Sequence, residues 1–271
     1  MEAWIGTSGW AYEDWRGRVY PEGLPDRDRL GWYSRRFPTV EVNASFYRLP
    51  TPEMFVKWRE DTPPGFLFSV KMSRYVTHIR RLRDPGEGIE KLWRASANLR
   101  EKRGPILIQL PPTLPADTEL LDALLAVLPG DLRAAFEFRH HSWDSDDVRR
   151  RLRRAGTAWV LADWPGARVP LHVTTTWSYV RFHQGRRASA AYPRPKLTRW
   201  ADRLRDLPVD ELFVYFNNDP GGAAVRDAET LTTLLRDRDV TLHEPSGVPA
   251  GVAPSVGRFR APVEGDASEQ D

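Results

Sequence analysis

Residues 134–139 have the sequence Ala-Ala-Phe-Glu-Phe-Arg, in which two phenylalanines alternate with two charged residues. Successive side chains of a strand point to opposite faces, so Phe136 and Phe138 share one face while Glu137 and Arg139 share the other. In a barrel of parallel strands one face packs on helices and the other faces the interior. This stretch therefore predicts a barrel strand with charged interior residues near its C-terminal end.

Seven similar runs occur elsewhere, at residues 3–7, 39–43, 66–71, 106–110, 158–163, 178–183 and 212–217. Helix-like sequence lies between them, at residues 28–37, 52–61, 88–102, 118–128, 145–155, 196–207 and 223–237. Alternating strands and helices indicate a parallel sheet, and eight units match a closed barrel. The sequence thus predicts an α/β fold, a single (β/α)8 TIM-type barrel. The sixth unit is weak, because only a short loop follows Asp163.

The predicted barrel domain covers residues 1–243. Residues 244–271 are rich in glycine, proline, serine and acids, and we expect a disordered tail there. Thr51, Asp117 and Asp144 precede three of the helical segments and are predicted as N-caps. Asp219 is predicted to cap the last helix.

The composition excludes several classes of protein. The chain has 271 residues, 41% of them hydrophobic, and no cysteine, which excludes disulfides and thiolate chemistry and fits a cytoplasmic protein. No apolar run is long enough for a membrane span, and the N-terminus resembles no signal peptide, so no membrane partner is expected. The net charge of +3 is compatible with an anionic ligand, or with an ordinary mixed surface.

The alternation also predicts which polar side chains gather at the C-terminal mouth of the barrel. Apolar residues such as Val40, Phe68 and Ile108 face the helices, so their neighbours face inward. The mouth set predicted in this way consists of Glu41, Asn43, Lys71, Gln109, Glu137, Arg139, Arg181, His183 and Asn217. Asp163 is added to the set because it ends the sixth strand, where it has the parity of Leu161. Barrel enzymes place their sites at this end. The alternative is an internal salt-bridge network that only stabilises the fold.

The chain also resembles a known family. The motifs are Gly6-Thr7-Ser8-Gly9-Trp10 with Trp15 and Tyr20-Pro21; Val40-Glu41-Val42-Asn43 with Ser45-Phe46-Tyr47; Phe68-Ser69-Val70-Lys71 with Thr77-His78; Gln109-Leu110-Pro111-Pro112; Phe136-Glu137-Phe138-Arg139-His140 with Ser142-Trp143; Val180-Arg181-Phe182-His183; and Tyr215-Phe216-Asn217-Asn218-Asp219 with Ala223. They resemble the YecE-like family, or domain of unknown function 72, from about residue 4 to 240. Gln184 before Gly185 departs from the family pattern. The resemblance implies a TIM-barrel-like fold and no reaction.

The mouth residues suggest acid/base chemistry on an anion. Glu41 and Glu137 are candidate acid/base residues, and one of them would have a raised pKa if it lay in an apolar spot. Lys71, Arg139 and Arg181 would hold a phosphate or carboxylate. His183 would shuttle protons. The alternative is that each glutamate only neutralises a neighbouring cation.

The remaining candidates would contact a substrate. Asn43, Gln109, Asp163 and Asn217 offer polar groups, and Trp10, Tyr47 and Trp143 offer rings that stack on a sugar or base, unless they only pack. No cofactor is predicted. A divalent metal stays open as an alternative, with His78, His140, His183, Glu137 and Asp163 as ligand types, although tight ligand spacing is missing.

Three functions remain open at this stage. The favoured one is an enzyme acting on an anionic sugar-like or nucleotide-like small molecule. The second is a protein that binds or cleaves nucleic acid, with a basic groove extended by residues 80–83. The third is a non-catalytic ligand-binding or scaffold protein. The arginine run at residues 149–154 is predicted to be the solvated face of a helix. The oligomeric state is not predicted.

Overall fold

Eight parallel strands close into a barrel in the computed structural model, which describes residues 1–164, 169–183 and 190–245. The strands are β1 Glu2–Ser8, β2 Thr39–Val42, β3 Leu67–Lys71, β4 Arg103–Gln109, β5 Ala134–Glu137, β6 Ala158–Asp163, β7 Trp177–Phe182 and β8 Glu211–Phe216. They pair in sequence order, and β1 pairs with both β8 and β2, which closes the ring. The predicted eight-stranded α/β barrel is confirmed. A short β9, Thr241–Leu242, adds to β1.

Helices connect the strands outside the barrel. They are α1 Arg29–Tyr33, α2 Pro52–Glu60, α3 Gly86–Ser96, α4 Thr118–Ala126, α5 Asp146–Arg154, α6 Arg194–Arg205 and α7 Ala223–Arg236. The first helix is shorter than predicted, since a 3-10 turn, Asp26–Asp28, precedes it. Between β6 and β7 the described residues contain no helix, as the weak sixth unit had indicated.

The helix caps follow the prediction in two places out of three. Thr51 accepts a hydrogen bond from the Met54 N–H, and Asp117 accepts from the N–H groups at the start of α4. The prediction for Asp144 was wrong, because Ser145 is the cap and its side chain accepts from the Val148 N–H. Asp144 instead pairs with Arg149, which contacts it directly.

Two separate apolar layers hold the barrel together. One lies between strands and helices and includes Phe68, Ile108 and Phe136. The other fills the barrel interior with Trp4, Leu107, Ala135, Val160, Trp177, Tyr179, Phe213 and Tyr215. The two layers confirm the predicted alternation, and they leave the interior polar only toward the mouth. In α5, Val148 and Leu152 are buried, so its arginines form the solvated face that was predicted.

Some predictions fall outside the described residues. These are the tail from residue 246 onward and the departure at Gln184 and Gly185. Across the described ranges, the longest helices are too short or too polar to span a bilayer.

Candidate functional site

The Arg181 guanidinium is the centre of the charged group inside the barrel. Its Nη2 donates to Glu41 Oε1 at 2.7 Å, and its Nη1 donates to Glu137 Oε2. Arg181 and both glutamates are fully buried. One cation on β7 therefore joins carboxylates on β2 and β5, two strands that are not neighbours in the barrel.

A layer of hydroxyl groups supports these ions from below. Tyr179 donates to Glu41 Oε2 at 2.6 Å, and its oxygen lies 2.6 Å from Ser69 Oγ. Tyr215 bonds Thr39 Oγ1 at 2.8 Å. The sequence analysis did not select either tyrosine, although the inward alternation of β7 and β8 could have identified both. The Tyr179 hydroxyl occupies the Glu41 oxygen that Arg181 leaves free, which completes the hydrogen bonding of a carboxylate that water does not reach.

The surroundings of the two glutamates favour the ionised form of both carboxyl groups. Burial raises the pKa of Glu41, but the charge of Arg181 and hydrogen bonds from Arg181 and Tyr179 outweigh burial and hold the pKa below its ordinary value. Burial also raises the pKa of Glu137. The charge of Arg181 lowers it more, so the pKa of Glu137 is held well below its ordinary value. Neither carboxyl has the raised pKa of a general acid. Their contacts fit the alternative interpretation, in which each glutamate neutralises a neighbouring cation.

His183 lies beside this cluster at the end of β7. Asn43 Nδ2 donates to Asn217 Oδ1 at 3.3 Å, and Asn217 Nδ2 in turn lies 3.1 Å from His183 Nδ1. His183 Nε2 lies 3.7 Å from Glu137 Oε2. Burial and the charge of Arg181 lower the pKa of His183 to about 4. The ring is therefore neutral at pH 7. Because the Asn217 Nδ2 group is a donor, His183 Nδ1 accepts from it and the ring proton lies on Nε2.

Lys71 reaches the mouth from the end of β3. Its Nζ donates to Gln109 Oε1 at 2.8 Å and lies 4.3 Å from the centre of the Phe46 ring. Within the described ranges no carboxylate oxygen lies within 4.0 Å of this ammonium group, although the residue is only 9% exposed. Burial, followed by the charge of Arg181, lowers the pKa of Lys71 to about 8. Lys71 is thus a buried cation that contacts a neutral amide in place of a counterion.

Arg139 and Trp164 form the rim above Glu137. Arg139 Nε donates to Glu137 Oε1 at 2.7 Å, and its guanidinium carbon lies 3.7 Å from the Trp164 ring centre. The Trp164 ring also stacks on His183, with centroids 3.7 Å apart and an angle of 9°. Arg139 keeps 23% of its side chain exposed, so part of this cation faces the mouth.

His78 is a mouth residue that the sequence analysis considered only as a metal ligand. It lies in a π-helical turn, Tyr75–Ile79, and its ring contacts the edge of Phe46 with centroids 4.9 Å apart. Thr77 Oγ1 lies 2.8 Å from its Nδ1. Burial and the charge of Lys71 lower the pKa of His78 to about 4. Such turns often mark functional sites, but this one has no clear signal in the sequence.

Two predicted substrate contacts need correction. Asp163 points away from the barrel interior, because it shares the face of Leu161, and it pairs with Lys196 of α6 at 2.7 Å. Trp143 is fully buried, and its Nε1 donates to the Leu114 carbonyl, so the ring packs inside the protein. Of the other two aromatic candidates, Trp10 is half-buried against Trp58 and Tyr47 is 75% exposed at the rim.

Asp219 does not cap the last helix as predicted. Gly222, with φ at 71°, is the residue before α7, and the Asp219 side chain makes no cap hydrogen bond. Burial, followed by the nearby charges of Asp14 and Glu41, raises the pKa of Asp219 to about 7, although a hydrogen bond from Tyr12 acts in the opposite direction. The side of the mouth next to β1 therefore carries a carboxyl that titrates near neutral pH.

The candidate metal ligands do not come together. Among the described residues, no three His, Asp or Glu side chains are grouped as a metal site would need. Asp163 faces α6 and His78 faces Phe46, which separates them from Glu137 and His183.

A closed parallel barrel with an ion cluster at the C-terminal ends of its strands defines a TIM-type barrel protein with a polar mouth. The chain belongs to the family described as "Protein of unknown function DUF72", whose model matches residues 4–250. The resemblance seen in the sequence is thus confirmed.

Sequence similarity to other proteins covers more than half of the chain. It is 28% identical to the UPF0759 protein YunF of Bacillus subtilis over 86% of this chain and 94% of that protein. The UPF0759 protein YecE of Escherichia coli K12 is also 28% identical, over 59% of this chain and 58% of its own. A DUF72 family protein from Thermotoga maritima has a crystal structure that superposes with a TM-score of 0.78 at 31% identity, covering 87% of this chain and all of that one. An Enterococcus faecalis structure, at 20% identity with a TM-score of 0.70, shares the fold.

Proposed function

We propose that the protein is an enzyme that binds a phosphate- or carboxylate-bearing small molecule, sugar-like or nucleotide-like, at the barrel mouth and acts on it by acid/base chemistry. The observation that carries this proposal is Lys71, a buried ammonium group without a carboxylate partner in the described chain. The inward-facing cluster has three cations, Lys71, Arg139 and Arg181, against two carboxylates. An anion at the mouth would complete the charge balance and raise the pKa of Lys71.

The proposed roles follow from the protonation states. Lys71, with a pKa near 8, can give or take a proton close to neutral pH, which is the range in which a general acid or base works best. His183 presents a neutral ring whose Nε2 carries a proton. Glu41 and Glu137 hold Arg181 and are positioning residues, since Glu41 in particular has both oxygens occupied.

The experiment is a binding comparison by isothermal titration calorimetry. Inorganic phosphate, ribose 5-phosphate and citrate are titrated into the protein, with ribose as a neutral control. We expect at least one anion to bind and Lys71→Met to weaken it at least tenfold. Lys57→Met, which removes an exposed lysine paired with Asp61, serves as the matched control. Equal binding of an anion by wild type and Lys71→Met would reject the proposal.

The nucleic-acid alternative has weaker support. In the loop that would extend a basic groove, Arg80 pairs with Asp84 and Arg81 donates to Thr113. Oligonucleotide binding that falls steeply with salt would favour this alternative. The non-catalytic alternative is favoured by the ion pairs of Arg181 with both Glu41 and Glu137. It would be supported if Lys71→Met changed stability without changing any binding or turnover.

A further inference from the structure

A second cleft lies outside the barrel, next to the mouth. It has a volume of about 960 Å³ and lies between α6 and the connection that follows β6. Trp164 forms part of its wall and also stacks on His183, so one ring contacts both the cleft and the mouth cluster. The sequence analysis did not select any residue of α6.

One face of α6 supplies the cations of this cleft. Lys196, Arg199 and Arg203 all line it, and they are three and four residues apart, which places them on one side of a helix. Lys196 pairs with Asp163 at 2.7 Å. Arg199 and Arg203 form no ion pair within the described chain, and Arg203 lies 5.6 Å from the Trp200 ring centre. Among the described residues, these two guanidinium groups therefore have no carboxylate counterion.

The acidic groups near the cleft do not oppose an anion. Asp163 is neutralised by Lys196, and Asp144 on the opposite wall accepts from Arg149 and lies 2.8 Å from His172. Asp202, next to Arg203 in the chain, pairs with Arg238 at 2.8 Å. The cleft is left with a net positive charge from its two arginines.

We propose that this cleft is a second anion site and that it binds a ligand carrying an oligophosphate group. Arg199 and Arg203 are four residues apart, which separates them by about 6 Å along the helix axis, so a chain of linked phosphates can contact both. Each guanidinium offers a planar pair of donors to phosphate oxygens. Val169, Pro170 and Leu171 add an apolar wall for the rest of the ligand.

The experiment uses inorganic tripolyphosphate as the probe, titrated calorimetrically into the full chain at low salt. The test variant is Arg199→Gln combined with Arg203→Gln. The control is Arg205→Gln on the same helix, which removes an exposed arginine that pairs with Asp206 and does not line the cleft. Both substitutions lie on exposed positions, and circular dichroism verifies that each variant is folded.

We expect the double variant to lose one binding event or to weaken it at least tenfold, while Arg205→Gln binds like the wild type. Unchanged binding by the double variant would overturn the cleft proposal, as would an equal loss with Arg205→Gln. Lys71→Met distinguishes the cleft proposal from the proposed function, because Lys71 lies at the mouth and does not line the cleft. If Lys71→Met keeps the event that the double variant loses, the cleft binds independently of the mouth.

Discussion

Arg181 on β7 donates to Glu41 on β2 at 2.7 Å, although two strands, β8 and β1, separate them around the barrel. The contact therefore crosses the interior and links two strands that are not neighbours in the sheet. Because Glu137 of β5 accepts from the same guanidinium, three of the eight strands are joined through one side chain. The charged cluster is thus a structural support for the mouth as well as its source of charge.

Replacing Arg181 should destabilise the barrel strongly. Arg181→Met leaves the buried Glu41 without its cation and Glu137 with Arg139 alone. Breaking such a buried pair typically costs about 3–5 kcal/mol in the free energy of unfolding. Urea denaturation measures the change. Arg150→Met, which removes a solvent-facing arginine of α5, is the control and should unfold at the wild-type urea concentration. A wild-type midpoint for Arg181→Met would show that the cluster does not hold the strands.

Lys71→Met should increase stability at pH 7. The pKa of Lys71 is lowered to about 8 because burial disfavours its charged form, so the charge destabilises the folded chain below that pH. Methionine has a similar shape, and we expect a gain of about 1–3 kcal/mol. The comparison is thermal unfolding at pH 7 and at pH 10, where the gain should shrink. A loss of stability at pH 7 would mean that Lys71 belongs to the structural network.

His183 should make stability depend on pH below neutrality. Its pKa of about 4 in the folded chain lies below the unfolded value of about 6.5, so the unfolded chain binds more protons between these values. The stability that neutral His183 contributes is present above pH 6.5 and is lost as the pH falls toward 4. His183→Gln should reduce the difference in unfolding free energy between pH 7 and pH 5. An unchanged difference would contradict the lowered pKa.

Asp219 should lower the stability of the folded chain as the pH rises, whereas His183 lowers it as the pH falls. Its pKa of about 7 in the folded chain lies above the ordinary 3.8, so folding favours the protonated carboxyl group. The stability that this group contributes to the folded chain is fully present below pH 3.8 and is lost as the pH rises through 7. Asp219→Asn should therefore stabilise the protein at pH 8 and change it little at pH 4. Asp206→Asn is the control, as Asp206 lies on the surface beside Arg205. Equal effects of Asp219→Asn at both pH values would rule out the raised pKa.

Asn217 is predicted to orient His183. Asn217→Ala removes the group that lies 3.1 Å from His183 Nδ1 and leaves Asn43 without its partner. If the proposed function holds, turnover should fall while Lys71-dependent anion binding is retained. Nitrogen NMR of the imidazole should show a mixture of tautomers in the variant and a single Nε2–H form in the wild type. A single form in both would remove Asn217 from this role.

The barrel and most of its inward-facing residues follow from local sequence pattern alone. Alternation along a strand is a local property, so Glu137 and Arg139 could be assigned to one face from residues 134–139 alone. The same rule, applied strictly, would have placed Asp163 outside with Leu161, as the structure does. The error arose because position at a strand end was given more weight than parity.

Which charges pair with one another, by contrast, depends on how the barrel closes. Arg181 and Glu41 are 140 residues apart in the chain, and whether they meet depends on the closure and diameter of the barrel. Their pKa values follow from burial and from that distance, neither of which a local pattern contains. For the same reason the sequence did not reveal that Lys71 contacts an amide, that Trp143 is buried, or that Arg199 and Arg203 line a common cleft.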